Sequence, residues 1–377
     1  MKILWMGFLG NNHSWSICGQ NICRTFINKG HDVHMVSTNG IKHFPQDLKP
    51  YLKAHVEERQ QVTFNQIPID QEYDLAISYT ALRNFPAYLS RGKKKFGIWC
   101  YEFAGKNSFP EGFAKQYKFS NKIFPPSEFA KRVFLENGVP ESHLKVIPHG
   151  IDFNNFNATG NKLKLNTNKS VKILCNIAQP HIRKNLGGVL DTYGKAFTKH
   201  DDVCLVVKVV DKPVTQPFEV SFKDLFNDFK KKYKDAGEVI ILREYIDNIA
   251  DLYRACDIVF SIPRSECFWF PGLEALGCRN VVVATGWGGQ LDYLNDSNSL
   301  LVTGKEVRAP ANALYWHQKP NTIYFEPDIN DAVDKLRYAV NNLSALKTKF
   351  YSQDMSWLNK YTWDNVVDEM IKEYHLT

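Results

Sequence analysis

The chain has 377 residues and 8 cysteines, but no Cys-x-x-Cys pair, no long uninterrupted apolar run and no Gly-x-Gly-x-x-Gly. Each absence excludes something. The cysteines lack paired spacing, and several lie inside apolar runs such as Ile173-Leu174-Cys175 and Val203-Cys204-Leu205. They therefore read as buried, reduced thiols and not as disulfides or zinc ligands. No window reaches the roughly 18 apolar residues of a spanning helix. The segment from Met1 turns polar within about ten residues, too soon for a signal-peptide core with its flanks. The expected location is cytoplasmic, with peripheral contact at a membrane face left open. Gly7 and Gly10 follow the first apolar run without completing a dinucleotide fingerprint, so no such site is expected there. No repeat, low-complexity segment or arginine-rich DNA-binding motif is present, so nothing beyond the charge supports nucleic acid as a partner.

What is present is ordinary for a soluble globular protein: 44% hydrophobic and 23% charged residues. The length exceeds one small core and predicts two domains. The formal charge of +7 favours anionic partners without naming any. The clusters Arg91 to Lys95 and Lys230 to Lys234 could touch anionic lipid or nucleic acid, but such runs are more often solvated faces.

Strand and helix signals alternate along the chain. Residues 2–7 read as a strand, 8–14 as a polar loop, 15–29 as a helix ended by Gly30, and 32–37 as a second strand. Residues 51–60 suggest a helix, and 73–79 and 96–100 strands. A short strand after Asn121 precedes a helix capped by Ser127. The tight turn before the second half is expected at Gly150, and the polar stretch 154–169 reads as a linker. The second half restarts the pattern, with strands at 171–178, 203–210, 238–242, 257–262 and 280–285. Helices are expected at 184–199, 218–234, 248–254, 331–341 and 351–374. The alternation predicts α/β domains with parallel sheets covered on both faces.

One corner stands out. The apolar strand at 257–262 runs into Pro263-Arg-Ser-Glu-Cys-Phe-Trp-Phe-Pro-Gly-Leu-Glu-Ala-Leu276, where Pro271 suits the first position of a helix. The unpartnered amides of a helix start form an anion site suited to a diphosphate. Glu266 and Glu274 bracket that start, too far apart to share a proton, and each is suited to grip a different hydroxyl-bearing part of one ligand. A second strand end, Gln179-Pro-His-Ile-Arg-Lys-Asn185, sets Arg183 and Lys184 side by side. Arginine offers bidentate contacts to phosphate, and lysine a point charge.

The pattern Glu266-x7-Glu274 followed by Ala-Leu resembles the donor-sugar motif of retaining glycosyltransferase family 4. The segment Pro148-His149-Gly150-Ile151-Asp152, with Phe156 soon after, resembles that family's interdomain signature. The resemblance implies an α/β fold of the GT-B type: two facing Rossmann-like domains and a C-terminal helix crossing back to the first. The expected boundaries are 1–155 for an acceptor domain, 156–350 for a nucleotide-sugar donor domain and 351–377 for the crossing helix. It implies transfer of a hexose-type sugar from a nucleotide diphosphate sugar to an acceptor hydroxyl, in glycan or glycoconjugate synthesis.

By the same resemblance Glu266 contacts the transferred sugar and Glu274 the ribose. Phe268, Trp269, Phe270 and Gly272 line the helix start, and Tyr245 and Ile246 lie in the nucleobase loop. Lys184, with Arg183, neutralises the leaving diphosphate. Glu102 is a candidate for the acceptor or catalytic pocket. Gly10, Asn11, His13, Ser14 and His149 fall on the acceptor side. The nucleotide sugar is a co-substrate; no cofactor is implied. No Asp-x-Asp lies near the motif, so no metal is implied. The acceptor stays open among glycan, lipid-linked sugar, protein and small molecule. Three departures, Cys267 and Trp269 where the family has glycine and Ala178 where many members have arginine, keep two alternatives: an epimerase or hydrolase on the same scaffold, and a non-catalytic sugar-nucleotide-binding protein.

Overall fold

The structure, a computed structural model, describes residues 1–10, 13–55, 71–177, 179–210, 213–315 and 318–377. The chain divides into two compact units. The first comprises Met1–Tyr101, Gly105–Ile151 and Leu358–Thr377; the second comprises Glu102–Ala104 and Asp152–Trp357.

The first unit begins with β1 (Lys2–Gly7), α1 (Ser14–Asn28), β2 (Asp32–Ser37), β3 (Leu52–His55), β4 (Tyr73–Tyr79) and the short α2 (Phe85–Tyr88). It continues with β5 (Gly92–Ile98), β6 (Lys122–Phe124) and α3 (Glu128–Glu136). Its strands form one parallel sheet in the order β3-β2-β1-β4-β5-β6. Ile3, Leu4, Trp5 and Met6 are all buried, which is why β1 reads as an unbroken apolar run instead of alternating. Ser127 caps α3 by accepting from the amide of Ala130, as expected.

The second unit holds β7 (Val171–Ile177), α4 (Leu186–Ala196), β8 (Val203–Val209), α5 (Phe222–Lys232) and β9 (Glu238–Leu242). These are followed by α6 (Ile249–Ala255), β10 (Ile258–Ser261), α7 (Phe270–Gly277), β11 (Val281–Thr285) and β12 (Leu300–Val302). The sheet order is β12-β11-β10-β7-β8-β9, again all parallel. An antiparallel hairpin, β13 (Gly304–Arg308) and β14 (Ile323–Pro327), precedes α8 (Ile329–Asn341) and α9 (Leu343–Tyr351). Cys175 and Val207 lie in the core between this sheet and α4, α5 and α8, and all eight cysteines are free and buried.

The chain ends with α10 (Trp363–Leu376), which belongs to the first unit and packs against α1. Lys29 reaches Asp368 at 2.9 Å and Asp364 at 3.5 Å. Gly150 was expected to supply a tight turn, but it is not among the glycines with positive φ. A Cβ there would lie 2.4 Å from the Trp363 ring, so the glycine is required by the close approach of α10. Gly150→Ala is expected to cost about 1–3 kcal/mol by overpacking, read as a lowered urea midpoint, with Trp363→Leu in the same chain recovering part of the loss. An unchanged midpoint would contradict this contact.

Other departures have local causes. Residues 52–55 form an edge strand where a helix was expected, and residues 56–60 lie outside the described residues. The expected helix at 184–199 starts only at Leu186, because Asn185 adopts φ 55 and caps it. The expected helix at 351–374 is broken before α10, with a 3-10 turn over Ser356–Tyr361. Helix α9 and strands β12 to β14 were not anticipated. β13 is exposed or half-buried throughout and carries charge, so no apolar period marks it.

Candidate active site

Two loops of the second unit, at the carboxyl ends of β7 and β10, are fastened to each other. After β7 the chain makes a 3-10 turn, Ile182–Lys184, and enters the left-handed conformation at Asn185, a residue type that tolerates it. The Asn185 side chain accepts from the Gly188 amide and donates to the Ile262 carbonyl at 3.0 Å. Arg264 donates to the Ile182 carbonyl at 2.8 Å, and its backbone amide to the Arg183 carbonyl at 2.7 Å. Arg264 is itself held by both oxygens of Glu326 in β14.

This places Arg183 and Lys184 between the strand end and α4, with Lys184 ahead of the helix that was expected to begin at it. Arg183 donates to the Ser265 carbonyl at 3.0 Å, approaches Glu266 Oε1 at 3.2 Å and donates to Glu102 Oε1 at 3.1 Å. Lys184 donates to the same Glu266 oxygen. Burial alone would raise the pKa of Glu266, but Lys184 and Arg183 together outweigh it and hold the carboxyl below its ordinary value. Burial pulls Lys184 down, against the attraction of Glu266. The Gly288–Gly289 turn fixes the backbone of Glu266: the Gly289 amide donates to the Glu266 carbonyl at 2.9 Å. A Cβ on Gly288 would come within 2.8 Å of that oxygen, and Gly288 has φ 102.

Glu102 enters this cluster because residues 102–104 belong to the second unit. Its carbonyl accepts from Ser265 Oγ, and its second carboxylate oxygen from the Tyr315 hydroxyl. Ala104 bridges to Ile323, the first residue of β14. Tyr315 lies in the connection between β13 and β14, with its ring against Phe103 and Phe218. Sequence reasoning missed Tyr315 and Ser265; Tyr315 sits more than two hundred residues from its partner, with no motif around it.

Helix α7 begins at Phe270, with Pro271 in its first turn. Trp269, at its N-cap, has φ 65, the left-handed region that costs a bulky residue about 1–2 kcal/mol. Tyr293 holds the strained corner by donating to the Phe268 and Trp269 carbonyls. The side chains of Cys267, Phe268 and Trp269 are buried, and the Trp269 ring lies where a Cβ on Gly272 would meet it at 2.6 Å. Trp269 therefore packs beneath the helix start, on Gly272.

Glu274, in the middle of α7, accepts from the Tyr253 hydroxyl, which in turn accepts from Asn176 at 3.0 Å. Burial, only partly offset by the Tyr253 hydrogen bond, pushes the Glu274 pKa from 4.5 up to about 7. A carboxyl raised in this way contributes stability that is complete below its unfolded value and is lost as pH rises through the folded one. The difference is worth about 3 kcal/mol. The thermal midpoint is expected to fall between about pH 5 and pH 8, and Glu274→Gln to flatten that fall. An identical pH profile in the variant would contradict the shift.

Tyr245 and Ile246 follow β9 in the second unit, Tyr245 exposed and Ile246 half-buried. In the first unit, Gly10 spends its amide on Asn39 and its carbonyl on His43, and a Cβ there would lie 1.8 Å from the Gly40 carbonyl. His13 is exposed at the N-cap of α1, where its ring accepts from the Ser16 amide. His149 is buried, with Nε2 at 3.1 Å from the Tyr79 hydroxyl and 3.2 Å from the Cys100 thiol. Asn11 and Ala178 lie outside the described residues. Among the described residues no cluster of three or more His, Cys, Asp or Glu could hold a metal, and no helix is long and apolar enough to cross a membrane.

No family model matches the chain. A stretch of 127 residues, 33% of the chain, is 28% identical to D-inositol 3-phosphate glycosyltransferase of Stackebrandtia nassauensis, and the match covers 24% of that protein's length. Among solved structures, HepE of Anabaena in complex with UDP matches at a TM-score of 0.69 and 14% identity, over 100% of both chains. Sucrose-phosphate synthase of Thermosynechococcus elongatus matches at 0.71 and 12%, over 100% of this chain and 99% of that one. A glycosyltransferase from Rickettsia africae matches at 0.68 and 16%, over 99% and 98%. At these identities the likeness establishes the fold, and the fold is GT-B.

Proposed function

We propose that the chain is a retaining glycosyltransferase of the family 4 kind. It moves a hexose-type sugar from a nucleotide diphosphate sugar to an acceptor hydroxyl, without a metal, in glycan or glycoconjugate synthesis. The observation that carries this reading is the buried cluster of Arg183, Lys184, Glu266 and Glu102 at the carboxyl edge of the second unit's sheet, the place where open α/β sheets bind ligands. HepE, which shares the fold, was solved with UDP and with UDP-glucose.

Two cations and two carboxylates balance in the cluster. An arriving diphosphate competes with Glu266 for Lys184 and leaves Arg183 anchored by Glu102 and the Ser265 carbonyl. Lys184 and Arg183 then neutralise charge on the departing diphosphate, a preorganised electrostatic contribution that takes the part a divalent ion plays elsewhere. Glu266, released from Lys184, faces the hydroxyls of the transferred sugar. Glu274 accepts from the ribose, and because hydroxyl donors favour its charged form, donor binding releases a proton around neutral pH.

Both carboxylates are engaged by one guanidinium, so neither is an unencumbered nucleophile. This favours front-face attack within an ion pair over the double displacement of retaining hydrolases. Acceptor recognition is assigned to the first unit, where His13 is exposed, and the reaction to the cytoplasm or a membrane face. Proton NMR of the sugar released or transferred tests the stereochemistry. An axial donor should give an axial product at first appearance; an inverted product would refute retention.

A further inference from the structure

Lys208 is nine-tenths buried, yet no hydrogen bond or ion pair holds its ammonium among the described residues. Its neighbours Val207 and Val209 join the core on one face of the sheet, so Lys208 stands on the other. On that face it sits in register beside Asn176 of β7, which donates to Tyr253, the residue that donates to Glu274. On its other side the register partner is Leu242, the last residue of β9, after which the chain enters the loop 243–246. Lys208 is the second-last residue of β8 and so lies at the sheet's carboxyl edge. Withdrawing an ammonium from water without a counter-ion is costly. Burial pulls its pKa down, and only Glu244, exposed in that loop, pulls it back.

We infer that Lys208 binds the nucleoside of the donor, donating to a carbonyl oxygen of the base on the sheet face it shares with Asn176, at the strand end that leads into the loop 243–246. The inference rests on the donor-site reading above and adds the class of base. An ammonium donates three hydrogen bonds and accepts none. Uracil and guanine present carbonyl oxygens and adenine presents none. Adenine offers an ammonium only ring nitrogens, so the contact favours a uridine or guanosine diphosphate sugar over an adenosine one.

Calorimetric titration of the full chain with UDP, GDP, ADP and inorganic pyrophosphate tests this. The wild-type chain is expected to bind UDP or GDP at least about 10-fold more tightly than ADP, the scale of one hydrogen bond to a charged group. Lys208→Met, which keeps the buried stem, should lose about 10- to 100-fold for the preferred nucleotide and leave pyrophosphate binding unchanged. Lys208→Met binding that nucleotide as tightly as wild type would overturn the inference while leaving the donor site intact. Equal loss for pyrophosphate would move Lys208 to the phosphates, and a wild-type preference for ADP, which needs no folded variant, would also overturn it. Failure of every nucleotide to bind the wild-type chain would remove the donor-site reading itself.

Discussion

Arg183→Met should lower the stability of the second unit by about 3–5 kcal/mol, the cost of removing one member of a buried ionic network. Arg183 is the shared partner of Glu102, Glu266 and the Ser265 carbonyl, and its own exposure is 9%. Without it Glu102 keeps the Tyr315 hydroxyl but no guanidinium, and Glu266 keeps Lys184. Both carboxyls would then sit in a more costly environment, with folded pKa values driven up. Groups raised in this way destabilise most at pH above their unfolded values and hardly at all below them. The loss should therefore be large near neutrality and small near about pH 4. Glu102→Gln in the same background should recover part of it, because an amide carries no charge to strand. Urea denaturation of the four chains at both pH values supplies the cycle. A midpoint unchanged at neutral pH, or a loss that ignores pH, would contradict the network.

Lys184→Ala should behave differently. Its partner Glu266 retains Arg183, and Lys184 is only part-buried, so stability should change little. Turnover of the donor, however, should fall by about 10²- to 10³-fold, the usual scale for removing one preorganised charge-stabilising donor. The contrast separates the two cations: Arg183 holds the cluster together, whereas Lys184, under the proposed function, leaves its carboxylate for a phosphate. Initial rates together with thermal midpoints read both effects. A rate within about threefold of wild type would remove Lys184 from the chemistry.

Much of this arrangement is written in local sequence. Fully buried parallel strands leave continuous apolar runs, and β1 and β8 are recognisable for that reason. The loops bearing Arg183, Lys184 and Glu266 sit at strand ends, where an anion site has sequence signals of its own. Contacts made across long sequence separations leave no such signal. Nothing near Glu102 announces that residues 102–104 join the second unit, or that Tyr315 will cap its carboxylate. The hairpin that carries Tyr315 is exposed and charged along β13, so it lacks the period by which strands are found. Gly150 was legible as a required glycine but not for its reason, since the ring it accommodates comes from the last helix. His149 stands inside a stretch that resembles a signature, yet its partners Tyr79 and Cys100 come from elsewhere in the first unit. Trp269 shows backbone strain behind a motif departure: the resemblance puts glycine there, and the corner requires φ 65.

The most direct test is release of nucleoside diphosphate from a panel of uridine, guanosine and adenosine diphosphate sugars, with wild-type chain and Glu266→Ala side by side. The account predicts that one class of donor is turned over by the wild-type chain and that Glu266→Ala, still folded by circular dichroism, loses that turnover. Release that persists undiminished without Glu266, or release from no donor, would contradict a sugar-transfer site at this cluster.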